Sequence, residues 1–277
     1  MLLRGTINAR SLGMETGINV FVPETLDRDG PYRVAYLLHG LRDNQDCWFN
    51  KTSLPEFARG RDIIFVTPEA GRSFYTNMRL GLDYFTWVAD ELPETISRVF
   101  HISARTDDTA VIGCSMGGYG ALKIAFLRPD RFGFCGAIAP ALLYVDELLA
   151  GLRKNPPQWL AAESPENKLL YRDFRLIFGE NLEPRETDII LKLVKDLCKM
   201  VQVAPRKKVP SVYACVGEDD SLLEENRRFA KTMGLMGMPF RFESWPGAHD
   251  WRFFQAGLER VLQEWGEYRE AETDEQD

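Results

Sequence analysis

The segment Thr109-Ala110-Val111-Ile112-Gly113-Cys114-Ser115-Met116-Gly117-Gly118-Tyr119-Gly120-Ala121-Leu122 changes character at its middle. Thr109–Cys114 is a short apolar run with β-branched residues, the mark of a buried strand, whereas Met116–Leu127 reads as a helix rich in small residues. Between them Gly113-Cys114-Ser115-Met116-Gly117 fits Gly-x-Ser-x-Gly, in the strand–turn–helix setting that the motif requires. A serine at so sharp a turn is forced into an unfavourable backbone conformation, and side chains two residues to either side would collide. Glycines at those places leave the hydroxyl at the top of a sheet, facing the helix N-terminus. Gly117, Gly118, Gly120 and Ala121 then let the helix lie close against the strands.

Outward from this turn, strands and helices alternate. Leu2–Arg10, Thr16–Val22 and Tyr32–His39 are β-rich, separated by Gly13 and by the turn-forming Asp27-Arg28-Asp29-Gly30-Pro31. Ile63–Thr67, Phe134–Ala139, Val212–Val216 and Phe240–Trp245 are further strands. Helical spacing puts Phe85, Val88, Leu92 and Ile96 on one face of a helix over Tyr84–Val99. Further helices are read over Glu224–Met236 and Asp250–Tyr268, the last with Trp251, Phe254, Leu258, Val261 and Trp265 facing inward. Wholly apolar strands alternating with helices imply a mostly parallel central sheet covered on both faces, with an antiparallel edge from the early strands. Ala141 to Pro210 contains no convincing strand and has helical patches such as Ile190, Leu193, Leu197 and Val201. It reads as a small helical insertion at about 141–210, either a cap over one end of the sheet or extra helices on a sheet face.

A serine hydroxyl is a poor nucleophile near neutral pH and needs a neighbouring base. The chain has three histidines, His39, His101 and His249. His39 ends a buried strand and His101 precedes the serine's strand, so both are read as structural. The order serine, acid, histidine expected along a doubly wound sheet leaves His249, in the loop Trp245-Pro246-Gly247-Ala248-His249-Asp250-Trp251. The acid that orients it belongs after the preceding strand, where Glu218, Asp219 and Asp220 stand together; composition does not choose among them. An oxyanion needs preorganised donors. The Met116 amide follows the nucleophile, and the turn after Leu37-Leu38-His39-Gly40 supplies the Leu41 amide. Trp48 and Tyr75 are candidates for the substrate pocket, with core packing the reading preferred for both.

The 277 residues are 45% hydrophobic and 27% charged, a globular make-up that suits one large core or at most two domains. The net charge of −7 is concentrated at the end: Glu264, Glu267, Glu270, Glu272, Asp274, Glu275 and Asp277 face only Arg269 there. The rest of the chain is nearly neutral, which gives no electrostatic case for nucleic acid. The acidic tail, 269–277, is expected to be disordered. Five widely spaced cysteines without a CxxC read as buried thiols in a reducing compartment. The start, Met1–Thr6, turns polar too soon for a signal peptide, and no apolar run approaches a membrane span. A cytoplasmic location is expected, with no membrane partner. Three scattered histidines make a poor zinc site, so no metal or cofactor is expected.

These residues together resemble the esterase D-like group of α/β-hydrolases, which includes the S-formylglutathione hydrolases, and are most similar to tributyrin-type short-chain carboxylesterases. The likeness rests on Leu37–Gly40 with Trp48, Ser73-Phe74-Tyr75-Thr76-Asn77, Glu91-Leu92-Pro93, the extended run from Gly113 to Leu122, Gly217 through Leu222 to Asn226, and Trp245–Trp251. The resemblance implies an α/β-hydrolase fold spanning 1–277 as a single domain. It places the acid at Asp220, before a small residue and a leucine. It implies hydrolysis of small-molecule carboxylic esters with short acyl groups through an acyl-enzyme, without a cofactor, in a homo-oligomer such as a dimer or tetramer. Cys47 stands where S-formylglutathione hydrolases carry a cysteine-bearing loop, although its surroundings differ. Acyl transfer by the same triad, S-formylglutathione hydrolysis and an inert binding protein on this fold are the alternatives.

Overall fold

The computed structural model describes residues 1–24, 31–154, 164–204 and 209–274. Eight strands form one sheet: β1 (Leu2–Ala9), β2 (Met14–Phe21), β3 (Arg33–Leu38), β4 (Ile63–Pro68), β5 (Thr109–Cys114), β6 (Phe134–Ile138), β7 (Ser211–Gly217) and β8 (Phe240–Trp245). Their spatial order is β1-β2-β4-β3-β5-β6-β7-β8. Only β2 runs against its neighbours, and every pair from β4 to β8 is parallel. The antiparallel hairpin therefore sits at one edge, and β3 leaves it for the centre. Residues 27–30 of the turn expected before β3 lie outside the described residues.

Burial follows the pleat, whose side chains alternate between faces. Val34, Tyr36, Leu38, Val111, Cys135 and Ala137 feed one apolar cluster; Ala35, Leu37, Ala110, Ile112, Phe134 and Ile138 feed the other. The first face is covered by helix α1, over residues 84–99, and by α2 (Met116–Leu127). Among the described residues α3 (Val145–Lys154), α4 (Pro165–Phe178) and α5 (Ile190–Val203) follow between β6 and β7, and then α6 (Leu223–Leu235). The second face is covered mainly by α7 (Trp251–Asp274), through Phe254, Leu258, Val261 and Trp265.

Within α1 the backbone widens into a π turn at Trp87–Glu91, just before Pro93. Proline has no amide to offer the Ala89 carbonyl, and Arg131 Nη1 supplies a donor at 2.9 Å instead. Lys123, wholly buried on α2, pairs with Asp188 at 2.6 Å and donates to Thr76 Oγ1 at 2.8 Å. That pair fastens the underside of α2 to the segment before α5.

Among the described residues no strand interrupts the stretch between β6 and β7. Its buried side chains, including Leu149, Phe174, Ile177, Ile190, Leu193 and Leu197, join the cluster on the α2 face. These helices thus pack on the α2 side of the sheet. Residues 155–163 and 205–208 of the stretch lie outside the described residues. The last helix runs to Asp274, beyond Tyr268. Glu, Ala and Arg, good helix formers, occupy its last turns. Residues 275–277 lie outside the described residues.

Candidate active site

Everything at the site hangs from the C-terminal ends of β3, β5, β7 and β8. At the end of β5, Ser115 adopts φ 55° and ψ −117°, a conformation that costs a non-glycine residue about 1–3 kcal/mol. The surroundings hold it there. Its amide donates to the Ile138 carbonyl at 2.9 Å, and its own carbonyl accepts from Gly118, Tyr119 and Ala141 at 3.0–3.2 Å. A Cβ on Gly113 would run into the Gly117 carbonyl, and one on Gly117 into the Leu38 carbonyl. The two glycines thus let α2 begin directly against the end of β3, next to His39-Gly40-Leu41.

The loops after β7 and β8 are latched together. The Glu218 amide donates to the Trp245 carbonyl at 3.0 Å and the Asp219 amide to the Gly247 carbonyl at 2.9 Å. These bonds leave the Glu218 and Asp219 side chains exposed and turn Asp220 inward, where it is buried. One Asp220 oxygen accepts from the Leu222 amide at 2.8 Å; the other lies 2.6 Å from His249 Nδ1. A carboxylate only accepts, so the imidazole proton sits on Nδ1 and the opposite nitrogen is left as an acceptor. That nitrogen, Nε2, is 2.9 Å from Ser115 Oγ. Phe254 stands edge-on to the imidazole at 5.1 Å, and Asp250 caps the start of α7 through the Phe253 amide. The structure therefore brings Ser115, His249 and Asp220 into one hydrogen-bonded line and leaves out the other two acids.

Beside Ser115 lies the turn Gly40–Asp43: a Cβ on Gly40 would stand 3.6 Å from Ser115 Cβ. The Gly40 carbonyl is held twice, by His39 Nδ1 at 2.8 Å and by the Asp43 amide at 3.1 Å. Gly40 C=O and Leu41 N–H belong to one planar peptide, so holding the carbonyl also orients the amide. Among the described residues no protein acceptor takes the Leu41 amide. The Met116 amide opens α2 and has no intrahelical acceptor, at the positive end of the helix dipole.

His39 is fully buried and structural, as expected. The Ala70 amide donates to its Nε2 at 3.0 Å, which places the proton on the Nδ1 that serves Gly40. Burial pushes its pKa down, against the opposing pull of Glu69. His101 is an exposed residue whose carbonyl accepts from the Tyr32 amide, just before the start of β3 and so at the opposite end of the strand from these loops.

The pocket reading of Trp48 and Tyr75 needs a correction. Both are completely buried and offer a substrate no surface. The Trp48 indole donates to the Leu38 carbonyl at 3.3 Å and packs edge-on against Trp251 at 5.0 Å; the Tyr75 hydroxyl donates to the His39 carbonyl at 3.0 Å. They are core residues that buttress the site from beneath, the reading preferred from the sequence. Two further residues were not singled out from the sequence. Asn226 Nδ2 donates to the Pro140 carbonyl at 3.0 Å, beside the Ala141 amide that binds Ser115. Arg72 Nη1 donates to the Leu41 carbonyl at 3.2 Å. Asn226 closes one of the family-like stretches, a usable signal; Arg72 carries none.

The family described as "Putative esterase" matches residues 9–264. An acetyl esterase of Caldicellulosiruptor saccharolyticus is 28% identical, over 84% of this chain and 82% of its own. Several mycobacterial relatives are longer, and the chain spans 56–57% of three of them. Among solved structures, the fluorophosphonate-binding serine hydrolase FphF of Staphylococcus aureus superposes with a TM-score of 0.79 at 22% identity, covering 96% of this chain and 98% of that one. The S-formylglutathione hydrolase of the same organism gives 0.77 at 22% identity, with the same coverage. The fold is that of the α/β-hydrolases.

Proposed function

The chain belongs to the esterase family, and we propose that it hydrolyses short-chain carboxylic esters with Ser115 as nucleophile, His249 as general base and acid, and Asp220 as the orienting acid. The observation that carries this reading is the unbroken line from Asp220 Oδ2 through both imidazole nitrogens to Ser115 Oγ. His249 Nε2 takes the hydroxyl proton as Oγ attacks the ester carbonyl, and Asp220 stabilises the imidazolium that forms. The Leu41 and Met116 amides receive the tetrahedral oxyanion. His249 then gives its proton to the leaving alcohol, and a water repeats the sequence on the acyl-enzyme. Because the base must be neutral, acidification suppresses the first step.

The acetyl esterase among the relatives supports the small acyl group. Five cysteines without a disulfide, four of them buried, suit a reducing compartment such as the cytoplasm. No helix among the described residues is long and apolar enough to cross a membrane. The test is a series of p-nitrophenyl esters of increasing acyl length with the wild type and Ser115→Ala. Turnover that is highest for acetyl and butyryl esters and absent in the variant is the expected result. A folded Ser115→Ala protein that still hydrolyses p-nitrophenyl acetate would refute the mechanism.

A further inference from the structure

The Gly40–Asp43 turn is held at its ends by the bonds to the Gly40 carbonyl, but these do not touch its middle peptide, Leu41–Arg42. Leu41 is shared by two peptides: the bonds to the Gly40 carbonyl set the plane of its amide, and the anchoring of its own carbonyl sets where the residue sits. Here its carbonyl is taken by a side chain from outside the turn, Arg72, at 3.2 Å.

Arg72 is itself held from the helices between β6 and β7. Its Nε donates to Asp173 Oδ2 at 2.8 Å, and its Nη2 lies 2.7 Å from the same oxygen. Asp173 lies on α4 with its side chain only 5% exposed, and Arg72 is 34% exposed. A second pair, Arg42 with Glu166 at 2.9 Å, joins the same turn to the same helix two helical turns earlier. Both of its partners are largely exposed, so it adds little. A single guanidinium thus spans from a buried carboxylate on α4 to the carbonyl of Leu41, the residue after Gly40 beside Ser115.

We propose that Arg72, fixed by Asp173, is a positioning residue for ester cleavage: it sets the turn that presents the Leu41 amide, and so makes α4 part of the machinery that stabilises the oxyanion. The proposal rests on the Ser115 reading above. Its energetic logic is differential: a donor that matters only once the oxyanion forms is felt in kcat and not in KM.

The experiment is steady-state hydrolysis of p-nitrophenyl acetate by Arg72→Met and Asp173→Asn, with inhibition by a trifluoromethyl ketone that forms a tetrahedral adduct. Arg72→Met is expected to lower kcat by about 10–100-fold with KM within about twofold, since misplacing a group by about an ångström costs on the order of a hundredfold. Ketone affinity should fall by the same factor. Asp173→Asn should give a smaller loss of the same kind, and the double variant should be no worse than Arg72→Met alone. Should Arg72→Met fail to fold, Asp173→Asn, which keeps its shape, decides alone. An unchanged kcat with only a lowered Tm, a raised KM at wild-type kcat, or additive losses would overturn the proposal. An active Ser115→Ala protein would instead remove the reading beneath it, and an inactive one beside a wild-type Arg72→Met removes this inference alone.

Discussion

His249 and Asp220 meet at 2.6 Å with very different access to water: the imidazole is one-third exposed, while the carboxylate side chain is completely enclosed. The enclosed partner fixes tautomer and direction, and the open partner keeps a face towards substrate and solvent. Asp220→Asn preserves the shape but offers Nδ1 a donor where it needs an acceptor. We expect kcat for p-nitrophenyl acetate to fall by about 10³–10⁴-fold. Glu218→Gln and Asp219→Asn, whose side chains lie outside, should stay near wild type. Steady-state kinetics on the three variants checks both halves of the statement.

Lys123 and Asp188 form a buried pair at 2.6 Å under the nucleophile's helix. Removing one partner leaves the other charged and without its counterion. Lys123→Met is therefore expected to lower unfolding free energy by about 3–5 kcal/mol in urea titration. Lys123→Met with Asp188→Asn should recover part of that loss, because the stranded carboxylate is then gone.

His39 supplies an acid-sensitive contribution to stability. Burial lowers its pKa in the folded protein, whereas the unfolded chain takes up a proton at about 6.5. Below that value the unfolded state binds more protons than the folded one, so stability falls as pH falls towards the folded pKa. Above about 6.5 both states are neutral at this residue and the contribution is flat. Urea midpoints measured from pH 7.5 down to 5 should drop for the wild type and flatten in His39→Asn. Parallel slopes for the two proteins would assign the acid sensitivity elsewhere.

The sheet was readable because burial on both faces demands wholly apolar strands, and Ile63–Val66 and Ala110–Cys114 leave no other reading. Ser115 and His249 were readable because the turn glycines and the order along the chain constrain them. The acid was not readable from composition, since three neighbouring carboxylates differ only in where the loop turns them; the Asp219 amide bond to the Gly247 carbonyl makes that choice, in three dimensions. Trp48 and Tyr75 kept two readings open because an aromatic beside a motif can serve the site from below as readily as line it. Arg72 and Asp173 stand 101 positions apart, and nothing in one dimension couples them.

The central claim is that Ser115 is made nucleophilic by His249. Peptide mapping by mass spectrometry after treatment with a fluorophosphonate tests it most directly. The account predicts a single stoichiometric adduct on Ser115 in the wild type, and labelling slowed by orders of magnitude in a folded His249→Ala protein. An adduct on a different residue, or undiminished labelling of Ser115 without the imidazole, would contradict it.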